Sequence, residues 1–206
     1  MKKYKAIVFD LGAVILNINY QNTIDEFTKL GVKKAENFYS KKVQMHLFDQ
    51  IEIGKISKYQ FLNELQKETK NANINQIEQA WNSMLLDLPE KRLQLIKKLK
   101  SNHTIYLLSN TNAIHIDAFK KQLGNTKWLE FCKLFNKMYL SHELGLRKPD
   151  VKIFEHILRE QKLKSEEVFF IDDSPQHIAS AKKLGIHCHH LSDDEDIIAL
   201  FPDIIL

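Results

Sequence analysis

Short apolar runs, each closing on a polar or glycine-containing turn, punctuate this chain of 206 residues. They are "AIVFD" ending at Asp10, "TIYLLSN" ending at Asn110, "MYLS" ending at Ser141 and "VFFIDD" ending at Asp173; a fifth, "IHCHHL" at 186–191, follows Gly185 closely. Their length and boundaries predict buried strands. Between them the apolar spacing changes to that of helices. In 149–162, Ile153, Phe154, Ile157 and Leu158 share one face, with Pro149 suited to the first turn. In 175–184, Ile178, Ala181 and Leu184 do the same, and Gly185 reads as the stop. Alternating strands and helices predict an α/β fold, a doubly wound parallel sheet covered on both faces.

The spacing contains one anomaly. A strand–helix–strand unit takes about 30 residues, yet the first two strands lie some 95 residues apart. The surplus reads as helices. Ser57 and Gln60 form a capping box before Phe61, Leu62 and Leu65, and Ile74, Ile77, Trp81 and Met84 make an amphipathic stripe. The expected organisation is an α/β core of residues 1–15 and 89–206, with a helical cap domain of 16–88 inserted over the carboxyl ends of the strands. That is where open α/β sheets bind ligands.

Composition narrows the function class. Apolar residues at 44%, charged residues at 27% and a net charge of +4 describe a globular protein, with too little basic excess to argue for nucleic acid. Cys132 and Cys188 make no disulfide framework. No apolar run reaches the roughly 18 residues of a membrane span, and Asp10 interrupts the stretch after Met1-Lys2-Lys3 that superficially resembles a signal peptide. The expectation is a cytoplasmic protein acting on a small molecule, with no nucleic-acid, membrane or protein partner.

The chemistry sits at the strand ends: Asp10 after the first, Ser109 and Asn110 after the second, Asp172 and Asp173 after the fourth, with Lys148 in "GLRKPD" before a helix. Parallel topology gathers these ends at one sheet edge. Three carboxylates collected there without compensation repel each other and cost several kcal/mol. A divalent cation such as Mg²⁺ resolves the conflict with hard oxygen ligands. The cation, Lys148 and the Ser109 hydroxyl would neutralise a phosphoryl group that Asp10 attacks, forming an aspartyl-phosphate.

The stretches "VFDLGAVI" (8–15), "LLSNTN" (107–112), "LGLRKPD" (144–150) and "VFFIDDSPQHIASAKKLG" (168–185) together resemble the haloacid dehalogenase superfamily of hydrolases, in its form with a helical cap after the first strand. Within it the chain is similar to bacterial sugar-phosphate phosphatases and to the phosphatase-like domain of epoxide hydrolases. The resemblance implies Asp10 as nucleophile and Lys148 as its stabiliser. It also implies Ser109 and Asn110 on the phosphate, and Mg²⁺ held by Asp10, Asp172, Asp173 and the Gly12 carbonyl.

Gly12 departs from that pattern, because the phosphatases usually carry there a second aspartate that protonates the leaving alkoxide. General acid–base help is worth about 10²–10⁴-fold. Three accounts stand open at this level: a substitute group (Asn17, Asn19, or His46 and Asp49 of the cap, or a water), a substrate with a better leaving group such as an anomeric sugar phosphate, or a phosphoryl-ligand binding protein without turnover. A 2-haloacid dehalogenase also needs no such acid, but gains nothing from the extra anions Asp172 and Asp173. His177 stands where the family usually has asparagine and is a candidate to orient the acidic pair.

Overall fold

In the computed structural model, residues 4–37 and 46–204 are described. Five parallel strands, β1 (Ala6–Phe9), β2 (Thr104–Ser109), β3 (Lys137–Leu140), β4 (Val168–Asp172) and β5 (His187–His190), form one sheet in the order β3-β2-β1-β4-β5. Each corresponds to one of the apolar runs. Alternation along the strands supplies two cores. Ile7, Phe9, Ile105, Leu107 and Ile171 point to one face, packing with α5 (Glu90–Leu99) and α6 (Ala113–Lys133). Ala6, Val8, Tyr106, Leu108 and Phe170 point to the other, under α8 (Val151–Gln161) and α9 (Pro175–Lys183). The sheet is therefore buried on both sides, which is why its strands read as continuous apolar runs.

The helical boundaries differ from expectation at one place. The helix expected from Pro149 begins at Val151, because Asp150 takes the N-cap position and its carboxylate accepts the Lys152 N–H at 3.0 Å. Helix α9 does begin with Pro175 in its first turn. The long α6 is broken at Gly124, whose φ of 74° and ψ of 162° are not helical.

Between β1 and β2 lie α1 (Tyr20–Lys29), α2 (His46–Glu52), α3 (Lys58–Lys67) and α4 (Ile74–Asn82). The Ser57–Gln60 capping box is formed in full, and Asn73 with Gln76 makes a second. Phe48, Phe61 and Trp81 meet as ring pairs 4.6–5.8 Å apart at the centre of a separate apolar cluster, with Ile77 beside them. Met84 of the expected stripe lies beyond the helix, on the returning strand of chain. The outgoing and returning connections run side by side: Asn19 N donates to Met84 O (2.9 Å), Leu86 N to Asn17 O (3.0 Å) and Asn17 N to Asp87 O (3.0 Å). Buried Arg92 pins this crossing to the sheet layer, through Asn17 Oδ1 (2.9 Å), the Ile15 carbonyl (3.3 Å) and Asp196 (2.9 Å).

The helical layer also meets the core at two further points. Gly54 just after α2, with φ of +67°, sits so close to the His142 carbonyl in α7 (Ser141–Leu144) that a Cβ would collide with it. Arg147 bonds Asp49 Oδ1 (2.6 Å) and Glu52 Oε2 (2.8 Å), both on α2. Among the described residues no helix is long and apolar enough to cross a membrane.

Candidate active site

Register places the carboxylates. Phe9 lies level with Leu107 on one side and Ile171 on the other, so the next residue, Asp10, comes level with Leu108 and Asp172. The Asp10 N–H still donates to Ile171 O at 2.9 Å, which holds its backbone in the ladder. Lys148 crosses beneath with no exposed surface. Its Nζ donates to Asp10 Oδ1 (2.8 Å), Asp172 Oδ2 (2.6 Å) and the Leu108 carbonyl (3.0 Å), so all three ammonium protons are placed. Asn110 fixes the loop carrying this lysine. Its Nδ2 donates to the Lys148 carbonyl (2.8 Å) and its Oδ1 accepts from the Lys148 N–H (2.9 Å).

Asp172 is fully enclosed. Besides Lys148, it accepts from Ser174 N (2.8 Å) and lies 2.9 Å from His177 Nδ1. His177 thus holds Asp172 in orientation, one of the two roles open to it from sequence. Lys148 and His177 outweigh the effect of burial and keep the Asp172 carboxyl low, at about 2. Asp10 goes the other way. Burial, reinforced by Asp172 and Asp173, pushes it up to about 8 against the pull of Lys148.

Asp10, Asp172 and Asp173 bring ligand oxygens within 4.8 Å of one another, the one such grouping of three or more acidic, His or Cys ligands among the described residues. A single ammonium faces three carboxylates, leaving negative charge that a hard divalent cation fits. The His187–His190 tract forms no such site: His189 pairs with Glu195 (2.8 Å), while His190 lies 3.0 Å from the Asp173 carbonyl.

Above this layer opens a cavity of about 150 Å³. Asp10, Gly12, Ser109, Asn110, Asp173 and His177 floor it, and Tyr20, Phe48, Glu52, Trp81 and Met84 contribute from the helical layer. Lys148 and Asp172 do not border it, acting from underneath. The substitutes expected for the missing aspartate do not border it either. Asn17 is held by Arg92 and Asp87, Asn19 caps α1 through Gln21 N, Asp49 is engaged by Arg147, and His46 is exposed. Sequence reasoning missed Tyr20, Glu52, Arg147 and His115, all of which border the cavity. The available signal for Arg147 was its place beside Lys148; no local signal marked the others.

His115 links the layers. It stacks on Trp81 at 4.9 Å and 15°, lies 3.2 Å from the Trp81 carbonyl through Nε2, and lies 3.2 Å from the Asn112 amide nitrogen through Nδ1. An amide nitrogen only donates, so Nδ1 accepts and Nε2 carries the proton. Burial lowers its pKa from 6.5 to about 4. The unfolded chain therefore binds a proton near pH 6.5 that the folded chain refuses until about pH 4, so stability falls as pH drops through that window. The loss amounts to about 2 kcal/mol by pH 5 and about 3 kcal/mol by pH 4. Urea titrations at pH 7 and pH 5 should show this loss in the native chain and a correspondingly smaller one in His115→Asn.

Comparison with known proteins agrees with this geometry. Residues 4–185 match the family described as haloacid dehalogenase-like hydrolase. The chain is 30% identical over 182 residues, 88% of each chain, to the D-ribitol-5-phosphate phosphatase of Bacteroides thetaiotaomicron. It superposes with a TM-score of 0.85 and 34% identity on a haloacid dehalogenase family enzyme of that organism, solved in complex with magnesium and inorganic phosphate, covering 96% of this chain and 99% of the other. A haloacid dehalogenase-like hydrolase of Porphyromonas gingivalis gives 0.84 and 30%, covering 97% of both. With the motifs, the sheet order and the family match in agreement, this chain belongs to the haloacid dehalogenase-like hydrolases.

Proposed function

We propose that the protein is a Mg²⁺-dependent phosphomonoesterase acting on a small phosphorylated polyol or sugar through a phospho-Asp10 intermediate. The observation that carries this reading is the buried Lys148 bridging Asp10 and Asp172 under a cavity bordered by Asp10, Ser109 and Asp173. In this reading residues 16–88 act as the cap that encloses the substrate.

Asp10, Asp173 and Asp172, with the Gly12 carbonyl, would hold the cation, which supplies charge neutralisation of the phosphoryl oxygens. Lys148 holds one Asp10 oxygen and leaves the other to attack phosphorus. The Ser109 hydroxyl donates to a phosphoryl oxygen. Asn110 contributes by fixing the Lys148 loop, since its amide is already bonded to that main chain. Arg147 closes α2 over the cavity through Asp49 and Glu52.

The substrate side follows from the similar proteins. Ribitol 5-phosphate carries its phosphate on a primary alcohol, a poorer leaving group than the anomeric position considered from sequence. A sugar-alcohol phosphate is accordingly the first substrate to test. Phosphate release is expected from ribitol 5-phosphate in the presence of Mg²⁺ and to cease when the metal is chelated. Equal turnover with and without chelator, or release only from substrates lacking a phosphate ester, contradicts the reading. The halide alternative predicts the second of these results.

A further inference from the structure

Gly12 carries no side chain, and the chemistry still requires a proton for the departing alkoxide. Building on the phosphatase reading, the groups around the cavity can be taken in turn. The His115 imidazole has both nitrogens engaged, by Asn112 and the Trp81 carbonyl. Nδ1 of His177 is committed to Asp172, and Glu52 is a carboxylate held by the guanidinium of Arg147 at 2.8 Å. Arg147 does not give up a proton. Tyr20 remains.

Its position suits the task. Tyr20 opens α1 directly after the cap residue Asn19, two positions beyond Ile18, whose side chain bounds the space a Gly12 side chain would enter. It borders the same cavity as Asp10 and Gly12. The charges that act most on its phenol are those of Asp173, Asp10, Glu52 and Asp172, which places the hydroxyl toward the acidic floor. An ordinary phenol is fully protonated at neutral pH, and burial raises this one further.

We propose that Tyr20 is the general acid of this enzyme, taking over the proton transfer that Gly12 cannot perform. In the first step an Asp10 oxygen bonds to phosphorus, the bond from phosphorus to the alkoxy oxygen breaks, and the alkoxide takes the Tyr20 proton. Alcohol leaves, with phospho-Asp10 and a tyrosinate remaining. In the second step the tyrosinate takes a proton from water as its oxygen attacks phosphorus. Hydrogen phosphate departs, and the Asp10 carboxylate and the Tyr20 hydroxyl are restored.

The test uses leaving groups of different basicity. A nitrophenolate departs without a proton, whereas a primary alkoxide does not. For Tyr20→Phe, kcat/KM on ribitol 5-phosphate should fall on the order of 10²-fold or more, while kcat/KM on p-nitrophenyl phosphate stays within about threefold. Because kcat/KM reports only the steps through phospho-Asp10 formation, the aryl substrate also shows that the variant is folded and binds phosphate. An equal fall on both substrates overturns the proposal and assigns Tyr20 to shaping the cavity. No fall on either overturns it as well. If the native chain turns over neither ester, the phosphatase reading fails and the proposal fails with it. A result in which Glu52→Gln, and not Tyr20→Phe, shows the selective loss moves the acid to the cap carboxyl and overturns it too.

Discussion

Replacing Lys148 by methionine is expected to lower both stability and turnover severely. The ammonium is fully buried and bridges Asp10 and Asp172, themselves largely or fully buried. Removing one partner of a buried ion pair typically costs about 3–5 kcal/mol, because the remaining charge has no solvent. Here two carboxylates lose it together, and the Leu108 carbonyl loses a donor. For a chain of this length that corresponds to a fall of about 6–20 °C in unfolding temperature. Methionine matches the length of the stem, so the effect isolates the charge. A variant that unfolds within about 2 °C of the native chain would mean that the three groups are not jointly dependent.

Asp10→Asn is expected to abolish turnover, by on the order of 10⁴-fold or more, with the opposite effect on stability. Burial and the neighbouring Asp172 and Asp173 disfavour the Asp10 carboxylate in the folded chain. Lys148 keeps Asp172 and the Leu108 carbonyl after the change. The amide therefore removes repulsion at little loss, and the unfolding temperature should hold or rise. The two variants share an activity loss but separate on stability, which distinguishes a reacting group from a structural one.

Much of this arrangement is legible in the sequence because each part is local. A parallel strand covered on both faces must be a continuous apolar run, and its carboxyl end must be polar. Asp10, Ser109, Asp172 and Asp173 therefore announce themselves as residues that end such runs. The Ser57–Gln60 cap is equally local, a pair three residues apart. The start of α8 shifted by two residues because Asp150 competes with Pro149 for the helix entrance.

What stayed hidden depends on contacts distant in sequence. Arg147 meets Glu52 across 95 residues and Asp49 across 98. His115 meets Trp81 across 34. Helical periodicity reports which face of α2 or α4 is apolar, and says nothing of which edge of that face borders a cavity. The same limit explains why Asn17 and Asn19 drew attention and Tyr20 did not. Both asparagines were near the motif in sequence, yet they hold a chain crossing and a helix start.

The central claim is that phosphate passes through Asp10, and the most direct measurement is to catch it there. The native chain with Mg²⁺ and p-nitrophenyl phosphate would be quenched in acid during turnover and its peptides mapped by mass. The account predicts one phosphoryl group on the peptide containing Asp10, formed with a burst of nitrophenolate and absent in Asp10→Asn. Continued turnover with no phosphoryl group on that peptide at any quench time would contradict it.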